Sequence, residues 1–214
     1  MNQFKLSIIM PVWKYRDYIL ETLDSLRKQT DKDFELIIVS DSDKDKYELL
    51  NDSFIKHVYL EKELHPALKI NKGFSKSKGK YITVLSDDDL LDPTFVEKMT
   101  QKMSEGFDVV YSDMQVFGDR EYACPASDEW TIQQFKISTV PYITSMVTRE
   151  MFKSVGGYSV ANYYDWDFWW KCFDHEASHY HIKELLFLYR CSNNNLASFT
   201  QNPDFKREII NKHL

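Results

Sequence analysis

The first half of the chain alternates between strand-like and helix-like segments, and this alternation constrains the fold more than any other feature. Short β-rich runs are predicted as strands at Leu6–Met10, Leu36–Val39, Val58–Leu60, Tyr81–Leu85 and Asp108–Tyr111. Apolar residues at helical spacing predict helices at Tyr18–Lys28, Pro66–Lys78 and Pro93–Met103. Strand–helix units of roughly 30 residues are typical of a parallel sheet that helices cover on both faces. We therefore predict an α/β fold with a mostly parallel central sheet.

The alternation weakens after about residue 112. Further strands are predicted at Tyr142–Thr148 and Leu185–Tyr189, and further helices at Arg149–Val155, Tyr164–Phe173 and Pro203–Leu214. No linker-like or repetitive stretch separates the two halves of the chain. We therefore expect one domain over residues 1–214, in which residues 113–214 complete a site that residues 1–112 begin.

Composition narrows the class of protein and of partner. The chain has 27 Lys and Arg against 33 Asp and Glu, and this net charge of −6 disfavours a nucleic-acid partner. Three cysteines without metal-site spacing indicate reduced thiols in a cytoplasmic protein. No stretch approaches the roughly 20 apolar residues of a membrane span, although docking on the inner face of a membrane stays open. The 15% of aromatic residues fits either a sugar-binding surface or an aromatic core.

Polar residues follow three of the predicted strands. In parallel sheets ligands bind outside the carboxyl ends of the strands. We therefore expect Pro11–Tyr15, Ser40–Asp45 and Ser86–Asp89 to lie together at one rim of the sheet.

Asp87, Asp88 and Asp89 are the sharpest chemical signal at that rim. Adjacent carboxylates repel one another unless a cation lies among them. Mg²⁺ and Mn²⁺ take carboxylate and phosphate oxygens, so a divalent cation site is one interpretation, and its position after a strand favours it. The alternative is an acidic turn that caps the next helix.

Asp41 follows another predicted strand and is a candidate to accept hydrogen bonds from a nucleobase or ribose. A polar turn is the alternative interpretation of this segment. Glycine-rich phosphate loops do not occur in the sequence. We therefore expect a metal ion and basic side chains to neutralise the phosphates of any bound nucleotide.

The segment Tyr164–Lys171 combines carboxylates with large aromatic rings. On a helix, Asp165 shares a face with Trp169, and a carboxylate among aromatic rings is partly desolvated, which suits a general base. Tyr164, Trp166 and Trp169 are candidates to pack against a sugar ring. Tryptophans in a helix are more often part of the core, and that alternative applies to each ring.

Several of these segments, from about Lys5 to Ser198, resemble the inverting family 2 glycosyltransferases with a GT-A fold. Leu6-Ser-Ile-Ile-Met-Pro-Val-Trp-Lys14 is similar to that family's S-I-I-I-P-x-Y-N. Gln29–Asp41 is similar to Q-T-x-x-x-F-E-I-I-V-V-D-D, and Gly79–Asp89 to G-x-Y-I-x-x-L-D-x-D-D. Gly156-Gly-Tyr158 with Tyr164-Asp165 resembles the acceptor-side motifs. The order and spacing of the motifs are more specific than any one of them.

The resemblance implies a metal-dependent enzyme that moves a sugar from a nucleoside-diphosphate sugar, UDP-linked by expectation, to a hydroxyl of a glycan or lipid-linked acceptor. It implies Mn²⁺ or Mg²⁺ as the cofactor and Asp165 as the base. The implied ligands of the metal are Asp88 and Asp89. The implied nucleotide-binding residues are Pro11, Trp13, Asp41, Lys69 and Asp87.

The sequence departs from the family pattern at four places. A serine replaces the first Asp of the metal motif, and a tyrosine precedes the expected base. Ile70 stands where an arginine often binds the nucleotide, so we expect either that Lys69 or Lys72 compensates or that the donor is held less tightly. Ser192 stands where the family often has a histidine, in the segment that begins with Tyr189.

Two other hypotheses belong to different classes of protein. The departures at Ile70 and Ser192 allow a non-catalytic module of the same fold that binds nucleotide or carbohydrate. A metal-dependent nucleotidyltransferase is disfavoured because no glycine-rich, basic phosphate loop follows the first strand. The oligomeric state is not predicted.

Overall fold

Helices cover both faces of a curled, mixed β-sheet in the computed structural model, which describes residues 4–138, 141–192 and 203–213. The strands are β1 (Phe4–Pro11), β2 (Phe34–Ser40), β3 (Ile55–Tyr59), β4 (Gly79–Val84), β5 (Leu90–Leu91), β6 (Val109–Gly118), β7 (Tyr122–Cys124), β8 (Met146–Thr148) and β9 (His179–Cys191). The helices are α1 (Tyr18–Arg27), α2 (Lys44–Glu48), α3 (Pro66–Lys76), α4 (Phe95–Ser104), α5 (Ile132–Ile137), α6 (Arg149–Ser154), α7 (Tyr164–Asp174) and α8 (Pro203–His213).

The strands follow the order β3-β2-β1-β4-β8-β6-β9-β5, with β7 beside β6. The pairs β3–β2, β2–β1 and β1–β4 are parallel, as predicted for the first half of the chain. β8 then pairs antiparallel with both β4 and β6, so the second half extends the same sheet. The predicted α/β class is confirmed, and the complete sheet is mixed because β5, β7 and β8 pair antiparallel.

Two apolar layers hold the helices on the sheet. Alternate residues of β1 point to opposite faces, so Ile8 packs with α1 and α4 while Ile9 packs with α3 and α7. On the α7 side, the core is built from Phe168, Trp169 and Trp170. Much of the aromatic content is therefore core.

Two strands of the second half are longer than predicted. β6 continues to Gly118, well past the expected end at Tyr111, and β9 begins at His179 where Leu185 was expected. Polar residues interrupt the apolar pattern in both strands, and a register shift at Ser112 and Asp113 bends their pairing. The predicted strand 142–148 is reduced to β8.

The three cysteines agree with a further expectation. Cys124, Cys172 and Cys191 are free thiols, as predicted. Within the part of the chain that the structure describes, no helix combines the length and apolar composition that crossing a bilayer requires.

Asp167 joins α7 to α8 through a buried cluster of charges. Its carboxylate is inaccessible and lies 2.5 Å from Lys212 Nζ and 3.1 Å from His213 Nε2. Burial alone would raise the pKa of Asp167, but hydrogen bonds from His213 and Lys212 outweigh it and lower that pKa. His213 also faces Asp174 at 2.8 Å, and these two carboxylates raise the pKa of His213 against the effect of burial.

Replacing Gly79 with alanine tests the close approach of β1 and β4. A Cβ atom there would lie 2.4 Å from the backbone nitrogen of Ser7, so the two strands would have to separate. We expect Gly79→Ala to lower the free energy of unfolding by about 3 kcal/mol in chemical denaturation. Gly156→Ala is the matched control, because a Cβ there meets open space and costs about 1–2 kcal/mol of left-handed backbone strain. Equal losses in the two variants would contradict the packing described here.

We expect the charge cluster of Asp167, Lys212, His213 and Asp174 to make a pH-dependent contribution to stability. Because the folded pKa of His213 is raised above its ordinary value of 6.5, its stabilising effect is present below that value. The effect is lost as pH rises through the folded pKa. We expect the difference in unfolding free energy between the native protein and His213→Gln to be larger at about pH 5.5 than at about pH 9. His175→Gln, at the end of α7, serves as the control. A difference that does not change with pH would argue against the cluster.

Candidate functional site

The carboxyl ends of β1, β2 and β4 bring the three polar segments together, as predicted. The backbone amide of Tyr15 donates to Asp43 Oδ2 at 3.1 Å, and Ser42 Oγ donates to the carbonyl of Trp13. Arg16, which directly follows the first segment, reaches Asp87 in the third. One rim therefore carries all three segments.

Lys69 and Asp41 form a buried ion pair beneath this rim. Lys69 Nζ lies 2.6 Å from Asp41 Oδ2, and the two side chains are only 3% and 2% exposed. The ammonium also donates to the Val12 carbonyl at 2.6 Å, while Asp41 Oδ2 accepts from the Leu64 amide at 3.0 Å. The pair thus joins the ends of β1 and β2 to α3. Ile70 lies in the core, so Lys69 is the basic residue of α3 that reaches the rim.

Trp13 lies at the surface above this pair. Its side chain is 60% exposed, its Nε1 donates to Glu63 Oε1 at 3.0 Å, and the Lys14 ammonium lies 4.6 Å from the ring centroid. Pro11 ends β1 opposite Val39 of β2. These positions form an open aromatic edge next to the buried charges.

The acidic segment follows β4, and its first two carboxylates converge on one cation. Arg16 NH2 lies 2.5 Å from Asp87 Oδ1, and Arg16 NH1 lies 3.0 Å from Asp88 Oδ2. Both aspartates are buried, whereas the Arg16 side chain is 41% exposed. Burial raises the pKa of Asp87, and the Arg16 guanidinium opposes this shift.

Asp89 has a different environment. It is fully buried, and its Oδ1 accepts a hydrogen bond of 2.9 Å from the backbone amide of Arg190 in β9. Burial, followed by repulsion from Asp88, raises the pKa of Asp89 well above its ordinary value. Asp89 therefore ties the acidic segment to the neighbouring strand.

Arg190 is a residue of the site that the sequence did not single out. Its Nε donates to the Asp88 carbonyl at 2.8 Å, and its NH2 pairs with Glu21 at 2.7 Å. The guanidinium carbon lies 4.4 Å and 4.5 Å from the ring centroids of Tyr18 and Phe117. The available signal was the pair Tyr189-Arg190, which resembles a family motif, but the expectation was placed on Ser192.

The donor set at the rim fits a hard divalent cation in part. Across residues 4–138, 141–192 and 203–213, no three His, Cys, Asp or Glu side chains group closely enough to hold a metal ion. Asp87 and Asp88 nevertheless converge, and one or two carboxylates with substrate phosphates are a usual ligand set for Mg²⁺. The residues present therefore fit a cation that a bound diphosphate completes.

Asp165 lies in the first turn of α7, half-buried among aromatic rings. Burial raises its pKa above the ordinary value of 3.8, and backbone amides oppose the shift. A carboxylate with raised proton affinity is suited to accept a proton. Tyr164, beside it, packs edge-on against His65 at 5.5 Å between ring centroids.

The three aromatic candidates on α7 differ in accessibility. Trp169 is inaccessible and Trp166 is 4% exposed, which favours packing in the core over contact with a sugar. Tyr164 is half-buried. Asp165 and Trp169 are one helical turn apart, yet only Asp165 reaches partial exposure because Trp169 faces Phe168 in the core.

α3 connects the rim to Asp165. His65 caps its first turn and contacts Tyr164, while Lys69, one turn later, holds Asp41. Asn71 exchanges two hydrogen bonds with the backbone of Tyr158, with Nδ2 donating at 2.7 Å and Oδ1 accepting at 2.9 Å. The candidate base and the buried charges of the rim are thus fixed to one helix.

The comparisons with known proteins agree with this architecture. The sequence profile of glycosyl transferase family 2 matches residues 7–162. An uncharacterized glycosyltransferase of Rickettsia prowazekii (strain Madrid E) is 27% identical over 230 residues, which cover 96% of this chain and 71% of the relative.

Solved structures share the fold. S. aureus TarS 1-349 in complex with UDP-GlcNAc superposes with a TM-score of 0.80 at 19% identity, over 96% of this chain and 64% of that chain. Mannosyltransferase PcManGT from Pyrobaculum calidifontis, in complex with GDP-Man and Mn²⁺, has a TM-score of 0.71 at 11% identity, over 99% of this chain and 69% of that chain. These similarities confirm the expected GT-A fold. Because the family profile extends over most of the sequence, the chain belongs to glycosyl transferase family 2.

Proposed function

We propose that the chain transfers a sugar from a nucleoside-diphosphate sugar to an acceptor hydroxyl with inversion at the anomeric carbon. The observation that carries the proposal is the link, through α3, between Asp165, whose pKa is raised, and the charged rim. Membership of the family supports the reaction class. A glycan or a lipid-linked sugar is the acceptor that the proposal expects, with the protein docked at the cytoplasmic face of a membrane in the lipid case.

The nucleotide end of the donor would lie over the buried pair of Lys69 and Asp41. The pair holds the Val12 carbonyl and the Leu64 amide in place, so it would fix the backbone beneath the base. Trp13 offers an exposed ring beside them. Uracil and guanine are both candidates, because TarS was solved with UDP-GlcNAc and PcManGT with GDP-Man.

Asp88, with Asp87, would hold a divalent cation, and the Mn²⁺ in the PcManGT complex supports this part of the proposal. When bound, such a cation neutralises charge on the diphosphate leaving group. Asp89 was expected as a second metal ligand, and we propose a narrower role for it. Since Asp89 Oδ1 accepts from the Arg190 amide, it would hold the segment in position.

Asp165 would act on the acceptor. Its carboxylate takes the proton of the acceptor hydroxyl as the oxygen forms its bond to the anomeric carbon. The bond from that carbon to the diphosphate oxygen breaks at the same time, and the diphosphate leaves with the electron pair. The surrounding aromatic core keeps water away from the carboxylate, which raises its basicity.

Asp165→Asn tests the assigned base. We expect transfer, measured as nucleoside diphosphate released from UDP- and GDP-sugars with Mn²⁺ or Mg²⁺, to fall by about 100- to 10,000-fold. Because burial raises the Asp165 pKa, kcat/KM of the native enzyme should decline on the acid side at a pH above the ordinary value of 3.8.

Asp174→Asn, at the other end of α7, is the matched control and should keep its activity. An Asp165→Asn variant with native kcat would rule out the assigned base. Nucleoside diphosphate binding without turnover would favour the non-catalytic module, and release of pyrophosphate would favour a nucleotidyltransferase.

Lys69→Met tests the nucleotide end of the site. Removal of the ammonium leaves Asp41 buried without its ion-pair partner, so we expect a loss of about 3–5 kcal/mol in unfolding free energy. The double variant with Asp41→Asn should recover part of that loss. We also expect weaker binding of UDP or GDP by calorimetry, at a temperature where the variant is folded.

Lys72→Met is the control for Lys69, because Lys72 lies on the same helix with an exposed side chain. It should change neither stability nor nucleotide binding. If Lys72→Met weakens binding and Lys69→Met does not, then Lys72 is the residue that takes the place of the family arginine.

A further inference from the structure

Arg16 lies over the acidic segment as its exposed counter-cation. The three distances that define the contact are 2.5 Å from NH2 to Asp87 Oδ1, 3.4 Å from Nε to Asp87 Oδ2, and 3.0 Å from NH1 to Asp88 Oδ2. The side chains of Asp87 and Asp88 are 6% and 10% exposed, so the guanidinium covers much of what solvent could otherwise reach. The negative charge of the motif is therefore partly offset by a residue of the chain itself.

The position of the carboxylates does not depend on Arg16. Thr22 Oγ1, in α1, donates to the Asp87 carbonyl at 3.1 Å, and Arg190 Nε donates to the Asp88 carbonyl at 2.8 Å. The Arg190 amide donates instead to the Asp89 side chain, at Oδ1. Removal of the Arg16 side chain should therefore leave the acidic segment in place with two carboxylates facing solvent.

We infer that Arg16 is a competitor of the divalent cation for Asp87 and Asp88, an inference that rests on the metal site of the proposed function. A guanidinium and a metal ion cannot both occupy these carboxylate oxygens. Arg16 precedes α1 and is 41% exposed, so its side chain can turn to solvent without disturbing the core. A metal ion that binds must then break the ion pairs of Arg16. The affinity of the protein for the metal is therefore lower than it would be if Asp87 and Asp88 had no competing partner.

Direct titration with Mn²⁺ tests this inference without any turnover. The full chain is stripped of metal with EDTA, and bound Mn²⁺ is measured by electron paramagnetic resonance in the native protein and in Arg16→Gln. Partly exposed ion pairs are weak, so loss of the competing cation should tighten Mn²⁺ binding by about tenfold and no more. Arg16→Lys, which keeps the charge but loses the planar fork, should give an intermediate affinity.

Arg27→Gln controls for the change in net charge. Arg27 forms a similar two-pronged pair with Asp52, at 3.1 Å and 2.7 Å, on the surface away from the acidic segment. It should bind Mn²⁺ as the native protein does. Thermal unfolding gives a second readout, because Mn²⁺ should raise the Tm of Arg16→Gln more than that of the native protein.

The possible outcomes separate this inference from the proposed function. Equal or weaker Mn²⁺ binding by Arg16→Gln, with measurable binding by the native protein, overturns the competition and leaves the metal site standing. No binding by either protein overturns both the competition and the metal part of the proposed function. Tighter binding by both Arg16→Gln and Arg27→Gln overturns the specific role of Arg16 and assigns the effect to net charge.

Discussion

The buried ion pair between Lys69 and Asp41 is the interaction on which the arrangement of the site depends. Two charges that are almost inaccessible are stable only if each has a partner of good geometry and further hydrogen bonds. Those further bonds come from the end of β1 and from the segment before α3, namely the Val12 carbonyl and the Leu64 amide. The requirement that both buried charges have partners therefore fixes the position of α3 against the rim. Since His65 on the same helix contacts Tyr164, the position of the candidate base follows from it.

The three neighbouring aspartates of the acidic segment make different contacts. Asp87 and Asp88 face outward to Arg16, whereas Asp89 points inward and holds the backbone of β9. Three adjacent carboxylates are tolerated because the Arg16 guanidinium pairs with Asp87 and Asp88, while a backbone amide donates to Asp89. Arg190 serves the same end from the other strand, where it binds the Asp88 carbonyl. Buried carboxylates need partners of this kind, since unpaired buried charge would destabilise the fold.

Local sequence pattern predicts the parts of the molecule in which one face of an element is uniformly apolar. The first strands and α1, α3 and α7 are of this kind. The rim at the carboxyl ends of those strands was predicted together with them. The lengths of β6 and β9 were underestimated because polar residues such as Asp113 and His181 lie within these strands. These two are bonded to each other at 2.8 Å, a contact that the sequence pattern does not contain. Arg16 and Arg190 were missed for the same reason, since their partners lie 71 and 102 residues away. Pairings at such separations depend on the complete topology.

Two carboxylates of α7 show why environment, more than residue type, identifies a candidate base. Asp167 is the more deeply buried, yet His213 and Lys212 bind it and lower its pKa, so it stays ionised and structural. Burial raises the pKa of Asp165, two residues earlier, and the opposing effect comes from backbone amides and not from a cation. Groups whose environments drive their pKa values apart are suited to different roles. The carboxylate that holds α8 in place cannot accept a proton without weakening its ion pairs, whereas burial raises the proton affinity of Asp165. The helix thus places a structural acid and the proposed base within a single turn.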